Sequence, residues 1–548
     1  MASIELVLAM LLAVLASGYL QRILPVSLPL PLVQIALGAV ITSVFDEGVA
    51  LQPDIFFLLF LPPLLFLDGW RIPKDDLFRD SGMVLMLAFG LVFFTVFGAG
   101  LLLHWMIPAM PLPVAFALAA VVSPTDPVAV ASIAKRSPIP RRLRHILEGE
   151  SLLNDASGLV CFRFAVAAAL TGGFSLAQAT MSFLWVATGG LAIGIGFTLL
   201  VNRAQMFLSR RLGEESGTPI LVNLLIPFGA YLLAEELHAS GILAAVAAGI
   251  TMSYVELTGR ALATTRVQRA AVWDTLQFTL NGVMFVLLGE QLPGILQEAA
   301  ESVREAGHSN TWWLAAYALG LGLGLGALRM AWVWVTLRSG AAAAKRRGIE
   351  PMPVNWRVVM VATMAGARGA ITLAGVLSLP LLLPDGSEFP ARELAVFLAT
   401  SVILLSLVLA SLGLPKLLAG LDMPEEQGIA GQVELARREA AAAAVEAINR
   451  VQHSIPDDAD DADLYAQAAV RVMALYEQRL AEHDNTSIEA ETLRRADQAE
   501  RELRLAGLEA ERRRIFALAR HHRISDEVAR RLVREIDLME TRLRADAA

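Results

Sequence analysis

The sequence predicts an all-α polytopic membrane protein with a separate helical domain at its carboxyl end, and three observations carry that expectation. Of the 548 residues, 55% are hydrophobic and 18% charged, with a mean hydropathy of +0.56, and a soluble globular chain of this length is less apolar. Apolar runs long enough to cross a bilayer recur between residues 3 and 418, and helices satisfy the backbone hydrogen bonds that lipid cannot. From about Pro424 the composition turns polar and strongly charged. The formal net charge of −8 averages two unlike regions and says little about partners. The single cysteine, Cys161, lies inside an apolar run, which excludes an intramolecular disulfide and reads as a core thiol.

Taken in order, the apolar runs place spans at 3–20, 29–45, 53–69, 81–105, 112–134, 146–170, 180–203, 218–238, 240–256, 270–292, 312–337, 356–379 and 393–418, thirteen in all. The first has no basic residues before it and no small-residue cleavage site, so it reads as a span and not a cleaved leader. The connections check the count, because cytoplasmic loops are enriched in Lys and Arg. Alternate connections are basic, among them Arg71, Lys74 and Arg79, then Lys135, Arg136, Arg141, Arg142 and Arg144, then Arg338, Lys345, Arg346 and Arg347. The intervening ones hold only Arg304 and Arg392, beside acids such as Asp46, Glu298 and Asp385. The alternation puts the amino terminus outside and the carboxyl terminus in the cytoplasm. It also keeps 218–238 and 240–256 as two spans, although only a tight Ala-Ser-Gly connection separates them.

Two of these spans are interrupted. In the fifth, the prolines of Ser123-Pro124-Thr125-Asp126-Pro127 remove backbone donors and break the helix around Asp126. In the twelfth, glycines flank an arginine in Gly366-Ala367-Arg368-Gly369. The two spans are seven apart, the offset expected when two six-helix halves are inverted repeats, and paired broken helices point to a transporter's binding site. The sixth span opens with Glu148-Gly149-Glu150-Ser151-Leu152-Leu153-Asn154-Asp155. Ser151 and Asp155 are four residues apart and share one helix face, and ionisable groups at this depth usually mark an ion or proton pathway. Hard oxygen ligands beside a broken helix suit a small cation.

The domain boundary falls at 422/423. Residues 423–548 contain an alanine-rich helical stretch around Glu439 to Val451 and an acidic loop at Asp457 to Asp463. Ser525 is the N-cap expected for a helix whose apolar face is Val528, Leu532, Ile536, Met539 and Leu543. No nucleotide loop or metal-spaced Cys or His cluster occurs there, no cofactor is implied, and the arginines, interleaved with acids, do not read as nucleic-acid binding.

With those residues in place, the chain resembles the monovalent cation/proton antiporters, in the branch of the bacterial NhaP proteins and the Na⁺/H⁺ exchangers. The resemblance rests on Thr125-Asp126-Pro127, Glu150-Ser151-Leu152-Leu153-Asn154-Asp155, Tyr231-Leu232-Leu233-Ala234-Glu235 with Ser240-Gly241-Ile242, Gly366-Ala367-Arg368-Gly369-Ala370, and Leu61-Pro62-Pro63 through Asp68, and it covers about residues 1 to 420. It implies thirteen helices, a homodimer in a bacterial inner membrane, and alternating access, with the remainder a cytoplasmic regulatory domain. It also implies that Asp155 and Asp126 hold the transported Na⁺, or Li⁺ or K⁺, and the proton, helped by Ser151 and the backbone at Thr125. Asn154 would hold the broken helices together, Glu150 would pair with Arg368, and Asp68 would support the site. Relatives with two adjacent aspartates are associated with carrying extra charge; here the neighbour of Asp155 is an amide that cannot titrate, which predicts electroneutral exchange.

Simpler readings stand beside these. Arg163, two turns beyond Asp155, snorkels outward; Glu235 is either half of a gating pair or scaffold; Arg329, near the inner end of its span, faces the cytoplasmic interface. A tail-regulated cation channel is the alternative function, but no filter-like repeat is visible. An intramembrane aspartyl protease would also need two buried acids, yet its Gly-x-Gly-Asp arrangement is absent, so the chain reads as a transporter and not an enzyme.

Overall fold

The computed structural model describes residues 2–23, 28–44, 53–126, 130, 139–171, 176–212, 217–257, 263–305, 312–346, 354–384, 386–419, 427–453, 467–474, 476, 488–520, 523 and 526–545. Apolar stretches in the first four hundred residues become helices because a run of Leu, Ile, Val, Phe and Ala with few charges can bury its side chains in lipid only after pairing its backbone internally. Among the described residues, eight helices are long and apolar enough to cross a membrane and three more are shorter and apolar, and no strand forms beyond an isolated bridge between Leu382 and Glu388. The chain divides into two compact units, Met1–Met423 and Pro424–Ala548.

In the first unit, helices α1 (Ala2–Ile23), α2 (Leu30–Val44) and α3 (Pro53–Arg71) are followed by the short α4 (Lys74–Arg79) and α5 (Ser81–Leu85). Next come a π-helical segment, Met86–Leu91, then α6 (Val92–Met106), α7 (Leu112–Val122) and α8 (Arg141–Thr171). The remainder are α9 (Leu176–Leu212), α10 (Thr218–Glu236), α11 (Gly241–Leu257), α12 (Ala263–Glu305), α13 (Trp312–Arg346), α14 (Trp356–Met364), α15 (Ala370–Leu377) and α16 (Arg392–Leu418).

Two groups of helices pack within this unit. In one, α3 lies on α11 and α2 on α12, with α9 and α10 against α11. In the other, α7 lies between α6 and α8, α13 and α14 pack on each other, and both pack with α15 on α16. The first group owes its tightness to glycine: a Cβ on Gly249 would run into the backbone carbonyl of Phe66, and one on Gly289 into that of Ile35. Small residues at such crossings let helix backbones approach where lipid offers no hydrophobic drive.

Several helices outrun the apolar runs that announce them. The run at 270–292 lies inside α12, which extends from Ala263 to Glu305, because the polar residues on either side are good helix formers that continue the turn into water. The π segment inside the run 81–105 has no counterpart in the sequence pattern. Its loosened turn leaves carbonyls for side-chain donors: Ser157 Oγ donates to Ala88 O at 2.7 Å, and Trp332 Nε1 to Met86 O at 2.9 Å. Near the basic end of α3, burial holds the Lys74 ammonium below its ordinary range against the opposing pull of Glu256.

The second unit holds α17 (Gln427–His453), α18 (Ile488–Arg520) and α19 (Asp526–Ala545). Helices α18 and α19 pack together, and Arg512 on the former pairs with Asp537 at 2.8 Å and with Glu540. Of the apolar face expected on α19, Ile536 is buried, whereas Val528, Leu532 and Met539 are exposed, since a two-helix contact covers only a narrow seam. Ser525 and the acidic stretch 457–463 lie outside the described residues.

Candidate functional site

The site is assembled where α8 crosses the interrupted end of α7. A Cβ on Gly158 would overlap the Pro124 ring and approach the Ala120 carbonyl, so this glycine lets α8 lie directly against the break. Thr125, Asp126, Glu150, Ser151, Asn154 and Asp155 are all buried there. Ser151 Oγ donates to the Thr125 carbonyl at 2.8 Å, Asn154 Nδ2 donates to Thr125 Oγ1 at 3.0 Å, and that hydroxyl donates to Glu150 Oε1 at 3.3 Å. These bonds tie α8 to the break, and a hydrogen bond is electrostatically stronger in a low-dielectric interior than in water. Thr125 is its hub, and Asp155 lies one turn beyond Ser151 on α8.

The second break meets the first. Helix α14 stops at Met364 and α15 begins at Ala370, and the backbone N–H of Asp126 donates to Ala367 O at 2.8 Å. Both glycines of the interruption are there for space: a Cβ on Gly369 would coincide with the Asp126 carboxylate, and one on Gly366 would strike the Arg329 guanidinium. Arg368 spans the two breaks, with Nε donating to Val122 O at 3.1 Å and NH1 to Gly366 O at 2.7 Å, while its backbone N–H donates to Ser406 Oγ at 3.0 Å. A cation at the last turn of α7 answers the unsatisfied carbonyls and the negative end of the helix dipole.

Glu150 is not held by Arg368, as the resemblance implied. Its partner is Arg329, whose NH1 and NH2 meet Oε1 and Oε2 at 2.5 and 3.0 Å in a bidentate pair, while Nε donates to Ala362 O at 3.2 Å. The side chains are 1% and 2% exposed. Arg329 therefore does not face a cytoplasmic interface: α13 runs on to Arg346, which leaves Arg329 well inside the helix. The sequence signal was the lone arginine in an apolar helix, since such a charge needs a buried partner.

Asp68, on α3, lies within electrostatic reach of both Asp126 and Asp155, so three carboxylates bear on the site, from α3, from the break after α7 and from α8. Among the described residues no three His, Cys, Asp or Glu side chains converge tightly enough to hold a metal ion together. A cavity of about 390 Å³ follows α8 from Ala156, the chain neighbour of Asp155, along Leu159, Val160 and Arg163, facing Tyr231 and Glu235 of α10. Arg163 NH2 donates to Glu235 Oε2 at 3.1 Å, so Arg163 is paired and does not merely snorkel.

The sequence pattern of the family described as sodium/hydrogen exchanger, transmembrane, matches residues 7–420. An uncharacterised Na⁺/H⁺ exchanger of Escherichia coli is 39% identical over 544 residues, covering 98% of either chain. A sodium, potassium, lithium and rubidium/H⁺ antiporter of Bacillus pumilus is 42% identical over 415 residues, which are 75% of this chain and 60% of that one. The fold is similar to that of the sodium proton antiporter MjNhaP1 from Methanocaldococcus jannaschii, with a TM-score of 0.56 at 18% identity over 78% of this chain and 99% of the other.

Proposed function

Because the chain belongs to the sodium/hydrogen exchanger family, whose members are transporters and not enzymes, we propose that it exchanges Na⁺ for H⁺ at a single site on α8 by alternating access. The observation that carries the reading is the seating of α8 against the broken backbone at Thr125 through Ser151 and Asn154, which brings the buried Asp155 carboxylate, one turn beyond Ser151, to the break. The proton of Ser151 Oγ is spent on the Thr125 carbonyl at 2.8 Å, which leaves the hydroxyl's lone pairs for a cation between Ser151 and the Asp155 carboxylate. Asp126, in a break that Arg368 and Gly369 shape, is the second acid of the site, and Asp68 supports both from α3. The remaining parts of the reading are thirteen spans in two inverted six-helix repeats, a homodimer in a bacterial inner membrane, an outer amino terminus and a cytoplasmic carboxyl terminus.

One carboxylate that holds Na⁺ or H⁺ in turn carries the same charge in both crossings, and Asn154 beside it cannot titrate. Membrane potential then does no net work on a cycle, whereas each uncompensated charge would couple at about 2.3 kcal/mol per 100 mV. Purified protein in liposomes, read with a pH dye and driven by Na⁺, Li⁺ or K⁺ one at a time, tests substrate and stoichiometry together. A Na⁺-driven proton movement whose equilibrium is the same at zero and at a large clamped potential is expected. A potential-dependent equilibrium overturns one-for-one exchange, and a proton movement driven by K⁺ alone overturns the assignment of Na⁺.

The second unit carries no chemistry of its own in this reading and acts as a cytoplasmic regulatory domain. Truncation after Leu421 is expected to leave an inserted protein that still exchanges, with a changed pH or cation response. Complete loss of exchange in an inserted, dimeric truncation would make the tail part of the transport machinery.

A further inference from the structure

The cavity that runs along α8 from Ala156 has an ion pair in its lining. Arg163, two turns beyond Asp155 on α8, reaches Glu235 near the end of α10 at 3.1 Å. Glu235 is itself anchored: Oε1 accepts the N–H of Gly241 at 3.2 Å, the first residue of α11, whose start is also held by Ser240 Oγ accepting the Leu243 N–H at 3.2 Å. The acid thus belongs to the α10–α11 corner, and the arginine is the arm that crosses to it.

Helix α8 packs principally on α7 and the π segment, whereas α10 packs on α11 and α9. The cavity lies along this division, lined on one side by Ala156, Leu159 and Val160 and on the other by Val186, Tyr231 and Ile242. Arg163 and Glu235 are the charged residues of its lining, and they bridge it. Any displacement of α8, with Asp155, relative to α10 changes their separation.

We propose that the Arg163–Glu235 pair is a latch across this cavity, holding the helix that carries Asp155 against the α10–α11 corner and opening in each transport cycle. The proposal rests on the exchange reading for the cycle, and on the geometry alone for the latch. The side chains are 56% and 32% exposed, so neither is locked in the core and loss of the pair does not threaten the fold; an exposed pair of this kind shifts a two-state equilibrium by at most about five-fold. That is the size suited to a contact that must break on every turnover.

The test uses Cys161, the chain's single cysteine, replaced by serine, with Leu159→Cys placed in the cavity wall. The full-length protein in liposomes is labelled with a membrane-impermeant methanethiosulfonate from the cavity side. R163Q and E235Q, the latter keeping an acceptor for Gly241, are each expected to speed labelling by the same factor, up to about five-fold, because the released α8 opens the cavity wall. The R163Q/E235Q double should speed it no further, and R163K should keep the starting rate. Unchanged labelling in both single variants, or single effects that add in the double, overturns the latch. Labelling needs no transport, so a protein that shows this pattern while moving no protons keeps the latch and loses the exchange reading.

Discussion

Asp155→Ala is expected to abolish exchange and leave a folded protein. The carboxylate is buried, one turn from Ser151, and an acid at the centre of a membrane helix costs about 2.5–3.5 kcal/mol to insert. Removing it therefore relieves the fold of a burden while taking away the group that Na⁺ and H⁺ occupy in turn in the proposed exchange. Radioactive sodium uptake should drop to the rate of empty liposomes, with the melting temperature equal to or above that of the parent. Uptake at the parental rate would end the assignment, and a lower melting temperature with normal uptake would make Asp155 a structural acid.

The second large effect lies at Glu150. Arg329→Ala leaves a carboxylate with 1% of its side chain exposed and without its bidentate partner, and breaking a buried pair from one side costs about 3–5 kcal/mol. Glu150 also accepts the Thr125 hydroxyl, so its rearrangement disturbs the hub that positions Ser151 and Asn154. Arg329→Ala should be much less stable than the parent, and Arg329→Met combined with Glu150→Gln should recover most of the loss, because two apolar or neutral replacements leave no stranded charge. Thermal unfolding of the three proteins in detergent checks this. Parental stability in Arg329→Ala, with collapse instead in Arg368→Ala, would mean that Glu150 depends on Arg368 after all.

How much of this was legible in the sequence depends on how local each cause is. The apolar runs, the breaks at Pro124 and Gly366, and the shared face of Ser151 and Asp155 are local, because lipid, proline geometry and helical periodicity act on neighbours in the chain. Helix ends were less so: α12 runs on past its apolar stretch to Glu305 because propensity continues where hydropathy stops. Pairings between distant helices were not legible. Arg368 and Arg329 both lie in apolar surroundings, and the deciding facts are spatial: Gly366 opens the room through which the Arg329 guanidinium passes, while Arg368 is taken up by carbonyls of Val122 and Gly366. The π segment, whose freed carbonyls take Ser157 and Trp332, is likewise a product of packing.

The most direct test of the central claim, that cation and proton share one carboxylate on α8, is the coupled flux itself. Parent and Asp155→Ala proteins are placed in liposomes at zero potential with a pH dye inside, and Na⁺ is added first outside and then, in a second set, loaded inside. The account predicts that the parent makes the lumen alkaline under the inward gradient and acid under the outward one, and that the variant does neither. Equal pH changes in the two proteins, or sodium movement without any pH change in the parent, would contradict it.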